Sequence, residues 1–283
     1  MKHVLTALTT LALLFTASPA AAQSLEDIQS SGTIRIATAN EIPYGWMDEA
    51  EEAHGIGPDV AEAVLAEMGI ENIEWTVTEF GSLIPGLIAG RFDMVAAEQA
   101  ILPDRCQAVF YSSPSSSYGE GLLVAAGNPE DIHGYEDFAE NPQLTMGIVS
   151  GADQLDFAQA LGISEGQLVT INSNTDALSA VETGRISAYA ATGLTASRLA
   201  ENSDRVELAQ PFTDPVVDGE PVRTWGGFTF SQDARELRDA YNEALAAFQA
   251  TPEWKELLTS HGLTEGDITA VSERTTEQLC AAE

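Results

Sequence analysis

Basic residues are scarce in this chain of 283 residues. Lysine and arginine number 12 against 44 aspartate and glutamate residues, which gives a formal net charge of -32 at pH 7. A field of this sign repels nucleic-acid phosphates and anionic lipid headgroups, so we expect neither as a partner. The charge bears on solubility and association, and it indicates no particular fold.

Long apolar runs are also few. The run at residues 4–15 follows a basic residue and is shorter than the ~20 residues that cross a bilayer. It leads into ASPAAA, residues 17–22, whose small side chains suit signal peptidase. We therefore expect residues 1–22 to be a cleaved signal peptide, with Gln23 first in a mature periplasmic protein and no membrane insertion. An amphipathic first helix is the alternative, but this run has no polar face.

Cysteine is nearly absent, since the chain has only Cys106 and Cys280. In an exported protein an even count favours a disulfide, which here would tie the carboxyl-terminal tail to the region of residue 106, in the first half of the chain. Two buried free thiols are the alternative. A metal site is disfavoured because His54, His133 and His261 show no ligand spacing with either cysteine.

Catalytic motifs are missing as well. The sequence contains no GxSxG elbow, no HExxH pair and no phosphate loop, and GIGP at residues 55–58 follows a loop rather than a strand. The acidic run at residues 48–52 lacks the alternating ligand spacing of a calcium loop and suits a solvated turn. We expect no enzymatic activity, no metal and no cofactor.

The chain does contain a regular alternation of short apolar strands and helices, which predicts an α/β fold with largely parallel sheets. We predict strands at residues 33–38, 73–78, 93–97, 145–149, 169–171, 186–191 and 225–230. We predict helices between Ser24 and Gly32, from Pro58 to Gly69, after a Ser82 cap to Ala89, from Pro103, and at residues 152–160, 176–183, 194–201, 233–249 and 252–260.

The order of these elements predicts two lobes. The polar, proline-rich residues 211–221 indicate a return crossing. We therefore expect a discontinuous first lobe of residues 23–123 and 222–283, and a second lobe of residues 124–221. Two crossings make a hinge, and the cleft between the lobes is the expected ligand site.

One stretch resembles a known family. Residues 80–109, FGSLIPGLIAGRFDMVAAEQAILPDRCQAV, are similar to a ligand-contacting segment of the periplasmic solute-binding proteins of ABC importers, in the polar amino acid binding superfamily. The match is best with ectoine- and hydroxyectoine-binding proteins, in which TEFGSLIPGL, AGRFD and PxRC recur together. The resemblance covers nearly the whole mature chain. It implies a type II, Venus-flytrap fold with a two-strand hinge.

The resemblance also implies ligand contacts. The motif NEIPY matches the family's N-E-x-P-[FY], so Glu41 is expected to accept hydrogen bonds from ring nitrogens and Tyr44 to stack on a cationic face. Phe80 matches a second aromatic wall, and Arg105 matches the guanidinium that binds the ligand carboxylate through two parallel hydrogen bonds. Gly151 matches a second-lobe loop whose backbone N–H groups face that carboxylate. Taken one at a time, such residues are often only part of the core or of the solvated surface. Because they occur together at the positions of the family motifs, they indicate a ligand-binding site.

Two positions depart from family patterns. The ectoine-binding family generally has a third aromatic where this chain has Ala100, so either a residue such as Trp46 fills the space or the ligand is a different relative of ectoine. Binders of α-amino acids usually carry an aspartate where this chain has Thr192. An α-ammonium would therefore lack its usual counter-charge.

Together these features predict a monomeric periplasmic binding protein for a small zwitterionic compatible solute, ectoine or 5-hydroxyectoine. We expect it to deliver that ligand to the permease domains of an ABC importer. One alternative is a polar amino acid or another small cyclic zwitterion as the ligand. Another is a lyase of the same fold, for which Glu41 is the only good general acid or base, or a sensor module.

Overall fold

The computed structural model describes residues 23–281, so the expected signal peptide, residues 1–22, lies outside the described residues. The strands are β1 Thr33–Thr38, β2 Trp46–Met47, β3 Ala53–His54, β4 Asn72–Val77, β5 Met94–Ala100, β6 Phe110–Tyr111, β7 Ser116–Tyr118, β8 Glu120–Ala125, β9 Met146–Val149, β10 Leu168–Ile171, β11 Ala188–Thr192, β12 Val206–Leu208, β13 Val216–Val217, β14 Glu220–Pro221 and β15 Thr224–Phe230. The helices are α1 Leu25–Ser31, α2 Ile56–Glu67, α3 Leu83–Ile88, α4 Pro103–Ala108, α5 Glu136–Glu140, α6 Gln154–Ala160, α7 Asn174–Glu182, α8 Gly193–Glu201, α9 Arg235–Gln249, α10 Pro252–Ser260, α11 Glu265–Ala270 and α12 Thr276–Cys280.

The first helix and strand form where the sequence predicts them. The Ser24 hydroxyl accepts a hydrogen bond from the backbone N–H of Asp27, whose carboxylate accepts one from the backbone N–H of Ser24. This reciprocal cap satisfies two helix donors that would otherwise lack partners. Gly32 ends α1 with a positive φ of 68°, a conformation that glycine adopts without steric cost. β1 then covers the predicted residues.

Three local predictions differ from the structure. Ser82 lies in a short 3₁₀ turn, Phe80–Ser82, and its side chain makes no capping hydrogen bond to α3. Helix α2 begins at Ile56, so Pro58 lies within its first turn rather than at its start. Strand β5 continues to Ala100, because Gln99 and Ala100 pair with β15 although Glu98 and Gln99 break the apolar pattern.

Two mixed sheets form the centre of the molecule. The first has the order β4-β1-β5-β15-β6, with β7 also paired to β15. In it β1 is parallel to β4 and β5, whereas β15 is antiparallel to its neighbours. The second has the order β10-β9-β11-β8-β12, in which β9 is parallel to β10 and β11 while β8 is antiparallel to β11 and β12. The predicted α/β, two-lobe class is confirmed.

Helices cover both faces of the first sheet. On one face Ile36 and Phe228 pack with residues of α2, α9 and α10. On the other face Ala37 and Val95 pack with Leu83 of α3. Burial on both faces explains why the central strands of this sheet are mostly apolar.

The chain crosses between the sheets twice. It passes from β7 to β8 through Gly119, and it returns through residues 222–223 into β15. The two crossing segments lie side by side, because Tyr118 of β7 pairs with Thr224 of β15. Strand β8 pairs wholly within the second sheet, which corrects the predicted boundary at 123/124 to a point ahead of Glu120. We propose residues 120–221 as the second lobe.

A disulfide joins Cys106 of α4 to Cys280 of α12, as the sequence predicted. The Cα atoms are 5.7 Å apart, within the usual range for this bond. Both cysteines pack against the apolar cluster that contains Val95 of the first sheet and Leu83 of α3. The bond therefore fixes the carboxyl-terminal helix against α4, the helix that carries Arg105.

We predict that replacing both cysteines by alanine lowers the free energy of unfolding. The linked residues are 174 apart, for which the chain-entropy model gives a limit on the order of 5 kcal/mol. Urea unfolding of the wild type and the double variant, both without reductant, measures the difference. Peptide mass spectrometry on unreduced wild type should find the cross-link; equal unfolding midpoints would contradict this stabilising role.

Candidate functional site

A cavity lies between the two lobes, and we call it the cleft cavity. Clefts between domains are frequent small-molecule sites. The walls are formed by Glu41, Tyr44, Phe80, Ala97, Glu98 and Tyr118 from the first lobe and by Val149, Ala152, Asp153, Gln154, Tyr189, Ala191 and Thr192 from the second. A ligand held here would contact both lobes at once.

Glu41 lies just after β1, in a tight loop closed by hydrogen bonds between its own backbone and that of Gly45. Its Oε1 accepts a hydrogen bond of 2.8 Å from the hydroxyl of Thr195, which belongs to α8 in the other lobe. Burial raises the pKa of Glu41 to about 7, even though the Thr195 hydrogen bond acts in the opposite direction. The predicted ligand contact thus also bridges the cleft.

Aromatic rings line the cleft cavity from both lobes. Tyr44 and Tyr118 meet edge to face with ring centroids 5.2 Å apart. Within the described residues the buried Tyr44 hydroxyl has no hydrogen-bond partner. Phe80 is half-buried in its short turn, and the Tyr189 hydroxyl donates to Asn174 at 2.6 Å. The structure therefore brings Tyr44 and Phe80 together as expected and adds two tyrosines.

Arg105 lies beside the cleft cavity rather than on its wall. Its Nη1 donates to the carbonyl of Ala100 at 3.0 Å, and its Nη2 donates to the carbonyl of Gly151 at 2.8 Å. The centre of its guanidinium is 6.0 Å from the ring centroid of Phe80. Two backbone carbonyls thus accept hydrogen bonds from the guanidinium nitrogens that were expected to bind a ligand carboxylate.

Gly151 differs from its predicted setting. Helix α6 begins only at Gln154, and Gly151 is an exposed loop residue with φ of 81°. A Cβ at this position would approach the Cα of Gly81 to 3.1 Å, so the two loops touch across the cleft. Gly151 presents its carbonyl to Arg105.

The idea that Ala100 leaves a missing wall is wrong. Ala100 is 1% exposed, pairs with Gly226 between β5 and β15, and does not line the cleft cavity. Trp46 does not fill a gap there either, since its ring packs 5.7 Å from His54 and 6.3 Å from His261. The additional aromatic surface comes from Tyr118 and Tyr189.

Sequence reasoning missed two carboxyl groups on the cavity wall, Glu98 and Asp153. Asp153 is 6% exposed and its Oδ2 accepts a hydrogen bond of 3.3 Å from Thr224 of the first lobe. Burial raises the pKa of Asp153, although the nearby Arg105 guanidinium acts against that rise. Glu98 lies within residues 80–109 but outside the motifs that recur in the family, and Asp153 follows the Gly151 loop. A charged residue beside apolar neighbours was the only signal at either position.

A further carboxyl group lies behind the wall. Glu120 is buried, and its Oε2 accepts hydrogen bonds from Tyr135 at 3.2 Å and from Gln154 at 2.8 Å. Burial, followed by the charge of Asp153, raises its pKa well above the ordinary value. Acidic groups therefore outnumber Arg105 around this cavity, which favours a ligand that carries a cation.

Comparison with known proteins agrees with this geometry. Residues 34–264 match the family described as bacterial extracellular solute-binding proteins, family 3. The chain belongs to this family. It is 50% identical to a probable amino-acid ABC transporter periplasmic-binding protein of Sinorhizobium fredii, over 96% of this chain and 90% of the relative.

Solved structures show the same fold. The crystal structure of EhuB in complex with hydroxyectoine is similar with a TM-score of 0.82 and 30% identity, and the match covers 92% of this chain and 98% of EhuB. An ancestral amino-acid-binding protein described as a precursor of cyclohexadienyl dehydratase has a TM-score of 0.72 at 24% identity, over 83% of this chain and 97% of its own. The likeness to this second structure concerns the fold alone.

Family membership identifies the chain as a solute-binding protein and not an enzyme, and it implies a periplasmic location. Among residues 23–281 no helix combines the length and apolar character needed to cross a membrane.

We predict that Ala100→Phe destabilises this solute-binding protein. Ala100 is buried and pairs with strand β15. A larger side chain in a packed interior typically lowers the free energy of unfolding by about 1–3 kcal/mol. Thermal unfolding of the ligand-free variant should show a lower midpoint. An unchanged midpoint together with an altered ligand affinity would restore Ala100 as a cavity residue.

The raised pKa of Glu41 predicts a pH-dependent stability. Because burial raises this pKa from 4.5 to about 7, the carboxyl group favours folding most when it is protonated. Its contribution is complete below about pH 4.5 and is lost as the pH rises through about 7. The unfolding free energy of the wild type, relative to Glu41→Gln, should therefore fall across this window and level off above it.

Urea unfolding of both ligand-free proteins between about pH 4 and pH 8 measures that difference. Glu71→Gln, at an exposed position, is the control. A wild-type minus Glu41→Gln difference that does not change with pH would mean that Glu41 is not desolvated.

Proposed function

We propose that the protein captures ectoine or 5-hydroxyectoine in the periplasm and delivers it to the permease domains of an ABC importer. The observation that carries this proposal is the cleft cavity itself, where tyrosine and phenylalanine rings stand beside carboxyl groups with Arg105 at one side. Ectoine combines a carboxylate with a delocalised ring cation. Aromatic faces attract such a cation, and a guanidinium pairs with a carboxylate.

In this proposal Glu41 accepts hydrogen bonds from the ring nitrogens, and Tyr44 and Phe80 face the ring. Arg105 exchanges the carbonyl of Gly151 for the ligand carboxylate. A charged acceptor makes a shorter and stronger hydrogen bond than a neutral carbonyl, which supports the exchange. The similarity to EhuB, solved with hydroxyectoine, supports the same ligand class.

Closure of the lobes explains capture. Among residues 23–281, three hydrogen bonds donated by side chains cross the cleft: Thr195 to Glu41, Arg105 to Gly151, and Thr224 to Asp153. A ligand shifts the protein toward the closed state only by binding that state more tightly. Walls drawn from both lobes provide this difference, because contacts with the second lobe form only on closure. We further propose that the mature protein begins at Gln23 and acts as a monomer.

A polar amino acid with a cationic side chain is the second candidate ligand. It is favoured by the 50% identity to a probable amino-acid ABC transporter binding protein. Thr192 argues against it. Its hydroxyl caps α8, and the side chain has no carboxylate that could pair with an α-ammonium. A thermal-shift screen with compatible solutes and amino acids separates the two, because a ligand at 100 times its Kd stabilises by about 2.7 kcal/mol.

We predict that Arg105→Ala weakens binding of the best ligand by roughly 2–5 kcal/mol, because the ligand carboxylate is left buried without its partner. Arg105→Lys should recover only part of the loss, since an ammonium cannot form the planar pair of hydrogen bonds. Isothermal titration calorimetry measures both variants. Arg205→Ala, at an exposed arginine paired with Glu182, is the matched control. Wild-type affinity in Arg105→Ala would refute the carboxylate role.

A further inference from the structure

We infer that Glu98 determines ligand specificity by accepting a hydrogen bond from a planar, delocalised cation of the amidinium or guanidinium class. The inference rests on the proposed function in so far as it concerns the same cavity. It holds for a cyclic amidinium such as ectoine and also for a guanidinium such as that of arginine.

The backbone at Glu98 has an unusual conformation. Its φ is 47°, in the left-handed region that favours glycine. Gln99 pairs with Gly227 and Val95 with Thr229, so β5 has three residues where β15 has one. Such a bulge redirects a side chain and recurs next to functional sites. A glutamate held in this conformation is a feature that folding alone does not favour.

The side chain is fixed at one oxygen and free at the other. Oε2 accepts hydrogen bonds from the hydroxyls of Ser115 at 2.7 Å and Ser116 at 2.6 Å. Glu98 is only 2% exposed and lines the cleft cavity. Its Oε1 is buried and has no hydrogen-bond partner among residues 23–281. A buried acceptor without a partner is costly, and a donor on the ligand would remove that cost.

The surroundings of Glu98 select a flat cation. Its carbonyl accepts a hydrogen bond of 3.0 Å from Tyr118, whose ring packs against Tyr44. A planar cation between aromatic faces directs its N–H donors outward in its own plane, toward acceptors such as Glu98 and Glu41. A compact ammonium lacks a face to stack. Burial also raises the pKa of Glu98 to about 7, and a bound cation would favour its ionised form.

The test is calorimetry with ectoine, 5-hydroxyectoine, L-arginine and L-glutamine, whose only cation is a compact α-ammonium. Glu98→Gly should weaken binding of the preferred cation by roughly tenfold to a hundredfold, the worth of one hydrogen bond to a charged group. Its ligand-free melting temperature should stay equal or rise, because glycine tolerates this φ and the buried carboxyl group is gone. Glu98→Gln keeps the shape without the charge and should also weaken binding.

Glu136→Gln is the matched control, because Glu136 also has a buried oxygen without a partner but lies outside the cleft cavity. This control should leave every affinity unchanged. Wild-type affinity in Glu98→Gly overturns the inference and leaves the proposed function intact. A lower melting temperature with unchanged affinity assigns Glu98 a structural role, which also overturns it.

The wild-type preference separates the two proposals. Binding of arginine but of neither ectoine would refute the proposed ligand, and the Glu98 variants would then be judged on arginine. Preference for glutamine over all three delocalised cations, or binding of none of them, overturns the inference.

Discussion

The desolvation of carboxyl groups is the constraint on which the cleft depends. Glu41, Glu98 and Asp153 lie on the wall of one cavity, and burial raises the pKa of each. A carboxylate buried away from water is unfavourable unless a cation or hydrogen-bond donors compensate it. Within residues 23–281 the donors to these groups are serine and threonine hydroxyls, and Oε1 of Glu98 has no donor among these residues. A cationic ligand is the group that would complete this compensation.

The fold provides this arrangement at the junction of the lobes. Strands β7 and β15 pair where the chain crosses, so Tyr118 and Thr224 stand next to each other at the base of the cleft. Thr224 donates to Asp153 of the second lobe, and Tyr118 donates to the backbone of Glu98. The hinge segments thus contact the same acidic groups that face the ligand site. Movement of the hinge and solvation of these carboxyl groups are therefore linked.

Local features were predictable from the sequence, and the cavity walls were only partly so. The Ser24 cap, the Gly32 stop and strand β1 depend on neighbours in the chain, and these predictions are confirmed. Glu41, Tyr44 and Phe80 were expected as ligand contacts from a resemblance in motif; the structure places them on one cavity wall, and their ligand role stays a prediction.

Glu98 was missed for a physical reason. The bulge that contains Glu98 arises from pairing with β15, more than a hundred residues later in the chain, so no local pattern marks it. The sequence pattern ended β5 at residue 97, whereas the paired strand carries it to Ala100. Alternation along one strand cannot tell which side a residue takes beyond a bulge. The expectation at Ala100 came instead from the family pattern, and in this chain the residue is buried and paired with Gly226 of β15.

The position of Arg105 relates ligand binding to lobe closure. Its guanidinium donates to the carbonyl of Ala100 within its own lobe and to the carbonyl of Gly151 in the other, so one side chain bridges the lobes. The disulfide at the adjacent Cys106 fixes the helix that carries it. A rigidly held guanidinium loses little conformational entropy when its acceptor changes from a carbonyl to a carboxylate. Under the proposed function, Arg105 is therefore held in place for a ligand carboxylate, and the acidic wall is left to distinguish one zwitterion from another.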